Sequence, residues 1–353
     1  MARVTLKSIA ERCGVSVSTV SLALSGKGKI SPEQVKRIRE AAEAEGYVPN
    51  PLLASLASKP FRSGLTVQGN LIAIFDFPSN PEAKNPSGLY TKFLYKWARE
   101  LGYQPEIFGN RRRKSYKNIA ESLYRRGTQG ILFSGPPDPD LFRDSEKWSS
   151  FAMVQCGRYA RNLPLHTVRP DIFHAVKLIF LKVLEYGYKR IGFAFGLHHP
   201  VLEDDEARHS AARAMQELHL SPEDRVPIYE GPIGESKESY EWLRRHKPDA
   251  VISFSVGFWY TLREAGYRIP EDIGFAVLHL NEKTEEQELS LTGLNQNREQ
   301  IARRGVVLLD QLIRHNHCGA PASPRHYLIR SEWIPGKSLR SCGGTEADCQ
   351  RFQ

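Results

Sequence analysis

The chain has 353 residues, a formal net charge of +9, 41% hydrophobic residues and 25% charged ones. This composition suits a folded chain of more than one domain and excludes an intrinsically disordered one. Its five cysteines (Cys13, Cys156, Cys318, Cys342, Cys349) form no C-x-x-C pair, and no apolar run reaches the ~18–20 residues of a membrane span, so neither a disulfide framework nor a membrane protein is expected.

The first fifty residues hold the strongest local signal. Leu6, Ile9, Ala10 and Cys13 recur at three- and four-residue spacing, which puts them on one helical face, and Thr5 stands where it can cap that helix. Gly14 marks a sharp turn. Ser16 caps a second helix, with Val20, Ala23 and Leu24 facing inward and Val17, Ser18, Ser21 and Leu22 facing outward. Ser31-Pro32-Glu33-Gln34 opens a third helix with Val35, Ile38 and Ala42 on its inner face, and Gly46 stops it. Helix, glycine turn and a second helix with small hydroxyls outside is the pattern that lays its second helix in a DNA major groove. The alternative is a plain three-helix bundle, and charge argues against it. Residues 1–64 carry ten Lys/Arg against five Glu, which is +5 of the chain's +9. Such a field suits phosphate contact and counterion release.

Tyr47-Val48-Pro49-Asn50 and a short leucine-bearing segment, Pro51 to Ala57, follow directly. The run T-L-x-x-I-A-x-x-x-G-V-S-x-x-T-V-S, then Y-x-P-N, then this segment, resembles the lactose/galactose repressor (LacI/GalR) family over residues 4–58. The resemblance implies a hinge helix that folds when two copies meet in the minor groove. Leu56 matches the leucine that wedges between base pairs, an action open to any apolar side chain that unstacks a base step. Pro51 and the bulky Leu53 depart from the family pattern, and a linker helix packed on the larger domain is the competing reading of Leu52, Leu53 and Leu56. The same resemblance maps base contacts onto Val17, Ser18, Ser21 and Leu22. Val17 and Leu22 can touch a thymine methyl but cannot read guanine or adenine by hydrogen bonds. Thr5, Ser16, Thr19 and Asn50 are candidates for phosphate positioning, and Leu6 completes the DNA-binding set with Leu53 and Leu56.

Beyond the linker 59–64, strand-like runs begin at Leu71, Gly130, Phe151, Ile191, Ala250 and Ile273. Amphipathic stretches alternate with them: Leu89–Leu101, Ser115–Arg126, Ile172–Glu185, Asp204–Leu218, Ser236–Arg245, Phe258–Ala265 and Arg298–Ile313. Such alternation predicts parallel sheets covered by helices on both faces, and the number of units predicts two lobes. The expected fold is an all-α helix-turn-helix head (1–49), a hinge helix and linker (50–64), an α/β periplasmic-binding-protein-like effector domain of two lobes (65–340) and a polar, disordered tail (341–353). By resemblance the chain crosses between lobes three times, near 159–162, 289–293 and 322–325.

Arg208 stands where the family has an arginine that grips effector hydroxyls. Asp171 resembles the aspartate after the fourth strand. Other marks are missing: Ser253 to Phe258 replaces an Asn-Asp stretch, Leu278-His279-Leu280-Asn281 replaces an aspartate pair, and Ile233 sits near where an aromatic often stacks on a sugar. Phe77, Tyr90, Trp259 and His279 are further candidates to line the cleft, each weighed against a role in the core.

His198-His199-Pro200 with Glu203-Asp204-Asp205-Glu206 fits no strong metal spacing and reads as a solvated loop before a helix, with acids near its N-terminus. Arg111-Arg112-Arg113-Lys114 reads as a solvated loop. No cofactor motif and no catalytic constellation stands out. Met1 leads straight into the head with no apolar signal stretch, and cytoplasmic location is the expectation. The expected partners are a double-stranded DNA operator, a second copy of the chain and a sugar-like effector. The alternative is a constitutive DNA-binding protein whose large domain is a ligand-blind dimerisation scaffold. An enzyme carrying a head lacks any nameable catalytic pair.

Overall fold

A computed structural model of the chain describes residues 6–25, 30–44, 71–76, 90–109, 116–137, 148–158, 164–196, 203–233, 236–280 and 288–340. Residues 1–65 and 66–353 form two compact units.

The first unit is three helices, α1 (Leu6–Cys13), α2 (Val17–Ser25) and α3 (Pro32–Ala44). Its core is Ile9, Ala10, Cys13, Val20, Ala23, Ile38 and Ala42, all from the inward set that the spacing predicts, with Leu24 and Val35 of that set partly buried against it. Helix α1 ends in a left-handed glycine, Gly14 at φ +63. The Gly14 N–H donates to Glu11 O at 3.3 Å and the Val15 N–H to Ala10 O at 3.0 Å. These are the paired bonds of a Schellman cap, and the left-handed residue they require carries no penalty only as glycine. The guanidinium of Arg37 on α3 donates to Cys13 O and ties the third helix to this turn.

The second unit has two α/β lobes. The first holds β1 (Leu71–Asp76), α4 (Thr91–Glu100), β2 (Gln104–Gly109), α5 (Tyr116–Arg125), β3 (Gly130–Ser134), β4 (Ala152–Cys156) and β5 (His166–Pro170). The second holds α6 (Ile172–Glu185), β6 (Ile191–Ala194), α7 (Glu203–His219), α8 (Lys237–His246), β7 (Ala250–Ser253), α9 (Gly257–Glu264), β8 (Gly274–Val277) and β9 (Thr292–Asn295). The chain then returns to the first lobe as α10 (Arg298–Arg314) and β10 (His326–Ile329), and ends in the second with β11 (Glu332–Ile334). The sheets run β2-β1-β3-β4-β5-β10 and β6-β7-β8-β9-β11, and all pairs are parallel except β9 with β11. A parallel bridge from Ala194 to Tyr229 adds the segment after α7 outside β6. Each lobe therefore reverses strand order once, between β1 and β3 and between β6 and β7.

Both sheets are covered on both faces, as near-continuous apolar strands require. Ile72, Ile74 and Leu132 pack with Leu94 of α4 and with Ile301, Ala302 and Val306 of α10. Ala73, Phe75, Ile131 and Phe133 point the other way, to Leu123 of α5 and to Trp148. Gly305 lets α10 approach β4: a Cβ there would stand 2.2 Å from Cys156 Sγ.

The crossings differ from those expected. Strand β5 still belongs to the first sheet, and Ile172 opens α6, whose Val176, Ile179 and Phe180 join the second lobe's core. The first crossing is thus at 170–172, the second at 295–298 and the third at 329–332. The physical reason is that β5, β9 and β10 are short and partly polar (HTVRP, TGLN, HYLI) and give no apolar run. The crossings are stitched together: Asp171 N–H donates to Ile329 O at 2.9 Å, and the Asn297 side-chain amide donates to Arg330 O at 2.9 Å. Asn297 takes a left-handed φ of 51, which asparagine tolerates better than most residues. Asp171 caps α6 by accepting from the His174 N–H at 3.0 Å.

Candidate nucleic-acid interface and interlobe cleft

In the head, Ser16 caps α2: its Oγ accepts the Thr19 N–H at 3.1 Å and lies 2.7 Å from Ser18 Oγ and 2.8 Å from Thr19 Oγ1. Capping fixes where the helix begins, so Val17 and Ser18 stand in its first turn. With Val20 and Ala23 buried below, Val17 is 44% and Leu22 43% exposed on the opposite side, and Ser18 is exposed beside Ser16. An exposed valine and leucine flanking hydroxyls on one short helix form a surface able to meet thymine methyls and phosphate oxygens. Thr5, Asn50, Leu53 and Leu56 lie outside the described residues, as do the side chains of Leu6 and Ser21.

Between the lobes the structure builds a charged cluster around the start of α7. Arg208 is 4% exposed, and Asp204 and Asp205 are 2% and 4% exposed. Arg208 Nη1 donates to Asp205 Oδ1 at 2.7 Å, one helical turn away. The same oxygen lies 3.5 Å from Nη2 of Arg158, which follows β4 in the first lobe. Arg169, on β5 of the first lobe, donates to Asp204 Oδ1 at 2.9 Å. Two carboxylates of the second lobe are thus held by two arginines of the first. The turn carrying Arg158 is fixed by buried Gln155, whose side-chain amide donates to Arg158 O.

Arg208 spans the second lobe's strand-order reversal. Its guanidinium lies 4.4 Å from the ring centre of Phe254 after β7 and 5.7 Å from that of Phe195 after β6. In doubly wound sheets, ligands bind beyond the C-terminal strand ends at this reversal. The His279 ring lies 4.4 Å from that of Phe254, tilted 54° to it, and its Nε2 lies 3.2 Å from the amide nitrogen of Gln296, at the second crossing. Burial, with the fields of Arg208, Arg298 and Arg158, holds His279 well below the usual histidine range. A neutral imidazole can accept the Gln296 N–H. Burial also lowers the pKa of Arg208, opposed chiefly by Asp205.

Two other cleft candidates stand apart. Tyr90 is buried in the first lobe's core with Leu94, Cys156 and Ile301, and its ring fills the space where a Cβ on Gly157 would lie. Its hydroxyl still feels Arg298, Asp204 and Arg158 behind a pKa raised first by burial. Trp259 packs on the second lobe's core with Phe258 and Val256, and its ring contacts are Tyr260 and Arg263. Phe77 lies outside the described residues. Reading Asp204 and Asp205 as solvated is corrected: they are buried, and arginines hold them. Sequence reasoning also missed Arg158, Arg169, Gln296 and Arg298. One signal was present, since Asp205 and Arg208 are three residues apart and share a helical face. Among the described residues no group of three potential metal ligands comes together, and no helix is long and apolar enough to cross a membrane.

Comparisons with known proteins agree with this architecture. Residues 5–50 match the model for bacterial regulatory proteins of the lacI family, and residues 182–339 match a periplasmic binding protein-like domain. Catabolite control protein A of Staphylococcus xylosus is 24% identical over 328 residues, 90% of this chain and 95% of that protein. The maltose regulon regulatory protein MalI of Escherichia coli K12 is 26% identical over 75% of this chain and 76% of its own. The lac repressor dimer bound to operator and an anti-inducer superposes with a TM-score of 0.57 at 17% identity, over 96% of this chain and all of the other. The transcriptional regulator CelR in complex with cellobiose gives 0.57 at 20% identity, over 95% and all of the other. The chain thus joins a DNA-binding region of the lacI family to a periplasmic binding protein-like domain, and resembles LacI-type transcriptional regulators along most of its length.

Proposed function

We propose that this chain is a sequence-specific transcriptional repressor. It binds a pseudo-palindromic duplex operator as a homodimer and answers to a sugar-like molecule in the interlobe cleft. The observation that carries the reading is the α2 face, where a serine cap presents Val17, Ser18 and Leu22 outward from a packed head. One head reads few bases, so a two-fold pair on two half-sites is the economical arrangement. CelR was solved with cellobiose and the lac repressor with operator and anti-inducer, which supports carrying both partner classes to this chain. Leu56 is assigned the minor-groove wedge, and Thr5, Asn50 and Leu53 supporting contacts. The relatives named here are regulators, and the chain is read as one without enzymatic turnover, working in the cytoplasm.

Selection of bound duplexes from random DNA tests the reading. It predicts one enriched motif with internal two-fold symmetry, and Leu56→Ala is expected to reduce DNA bending and specific affinity together. Enrichment of no motif would contradict it.

A second reading has one observation in its favour: Arg208 is already engaged by Asp205 and covered by Phe254. In that reading the body is a ligand-blind dimerisation scaffold. A thermal-shift screen separates the two, because a ligand at 100 times its Kd adds about 2.7 kcal/mol to stability. No shift across a broad sugar library selects the scaffold.

A further inference from the structure

Resting on the reading of the cleft as an effector site, we propose that its ligand is an anion. The class is a sugar-sized carboxylate or phosphate ester, held by Arg158 of the first lobe, Arg298 at the second crossing and Arg208 of the second lobe. The chemistry of the cluster carries the argument. Recognition of a neutral sugar needs hydrogen-bond acceptors as well as donors. The two carboxylates here are already taken by arginines: Asp204 by Arg169 at 2.9 Å, and Asp205 by Arg208 at 2.7 Å and Arg158 at 3.5 Å. What the cluster has left over is donors. Arg158 Nε is buried and has no acceptor among the described residues. Arg298 has no carboxylate within 4.0 Å among the described residues, yet with Arg158 and Arg208 it acts on His279. Arg158 and Arg298 thus bring guanidinium groups beyond the Arg169 and Arg208 pairs that hold Asp204 and Asp205 among the described residues.

A guanidinium N–H buried without an acceptor, as at Arg158 Nε, is costly until an anion joins it. Guanidiniums also match carboxylate and phosphate oxygens in a two-pronged fork. The arginines come from both lobes and a crossing, so an anion bridging them favours one lobe arrangement over another. That differential affinity is what a ligand needs in order to shift a two-state protein. Phe254 and His279 pack against each other beside Arg208 and supply apolar ring surface for the body of a sugar.

The test is calorimetric titration of the full-length protein with D-glucuronate, D-gluconate and D-glucose 6-phosphate, and with neutral D-glucose, at fixed salt. At least one anion is expected to bind about 10- to 100-fold more tightly than glucose, the scale of charge-assisted hydrogen bonds. Arg298→Gln should remove about tenfold or more of that preference, and Arg298→Lys should restore part of it. Arg158→Gln, at a half-exposed position, serves if Arg298→Gln does not fold. Preference for the carboxylates or for the phosphate ester supports the proposal and identifies the source. Glucose binding as tightly as every anion, or anion binding indifferent to both glutamine variants, overturns the proposal and leaves the sugar-responsive reading standing. Binding of no probe at all counts against both.

Discussion

The DNA-facing helix and the interlobe cleft assemble recognition in opposite ways. In the head, the cap, the buried stripe and the exposed face all lie within ten residues, Ser16 to Ser25. The cleft gathers Arg158, Arg169, Asp205, Phe254, His279 and Gln296 from two lobes and a crossing, and Arg208 joins Asp205 only through a helical turn. The head offers exposed apolar and hydroxyl groups to a partner that brings charge. The cleft buries charge against charge and stacks it on aromatic rings. A site of the first kind tolerates surface substitution with little loss of stability, whereas a site of the second kind does not.

Arg208→Met gives the largest expected break. It removes the 2.7 Å donor from the buried Asp205 carboxylate, and urea unfolding should show a loss of about 3 kcal/mol. Joint replacement of Asp205 by leucine should recover part of it, because a coupled pair is not additive. Gly14→Ala comes next. It forces a side chain onto a left-handed turn of φ +63, and about 1 to 2 kcal/mol should be lost from the head's unfolding transition, with the second unit unaffected. Leu22→Ala is expected to alter stability by less than ~0.5 kcal/mol while costing about 1 kcal/mol of operator binding, read by fluorescence anisotropy. An equal loss in stability would make Leu22 a packing residue and break the contrast between the two sites.

The smallest effect is in pH. His279 is neutral when folded, with its pKa depressed by burial and by three arginines, so below pH about 6.5 the unfolded chain binds a proton that the folded one refuses. Its contribution to stability is complete above that pH and is lost as pH falls toward the folded value. His279→Asn should therefore flatten the acid side of the stability profile. Some slope should remain, because His166, His174, His246 and His326 are also lowered, in each case first by burial. A profile unchanged by the substitution would place His279 in water.

The same contrast explains what the sequence disclosed. Helices with an apolar stripe were legible almost to the residue, as at Ile172–Glu185, because the period of burial is written locally. Strands β1, β3, β4, β6, β7 and β8 were legible because both faces are buried. Strand β2 (QPEIFG) was not, being a half-exposed edge with a proline. Polar β5 hid the first crossing and shifted its expected place to the end of β4. In the cleft, Arg208 was found by resemblance. Its partners were not, because an aspartate in the first turn of a helix reads equally well as solvated until the opposite lobe supplies Arg158 and Arg169. Trp259 lies partly buried against the second lobe's core, which shows why a large aromatic on an amphipathic helix does not by itself mark a cleft.

The account depends on the head distinguishing one duplex sequence from others. The most direct test is an anisotropy titration of the full-length protein against its selected symmetric duplex and a scrambled duplex of equal composition, at physiological salt. The prediction is an affinity ratio of at least about 10³. Equal affinities that vanish together as salt rises would contradict it.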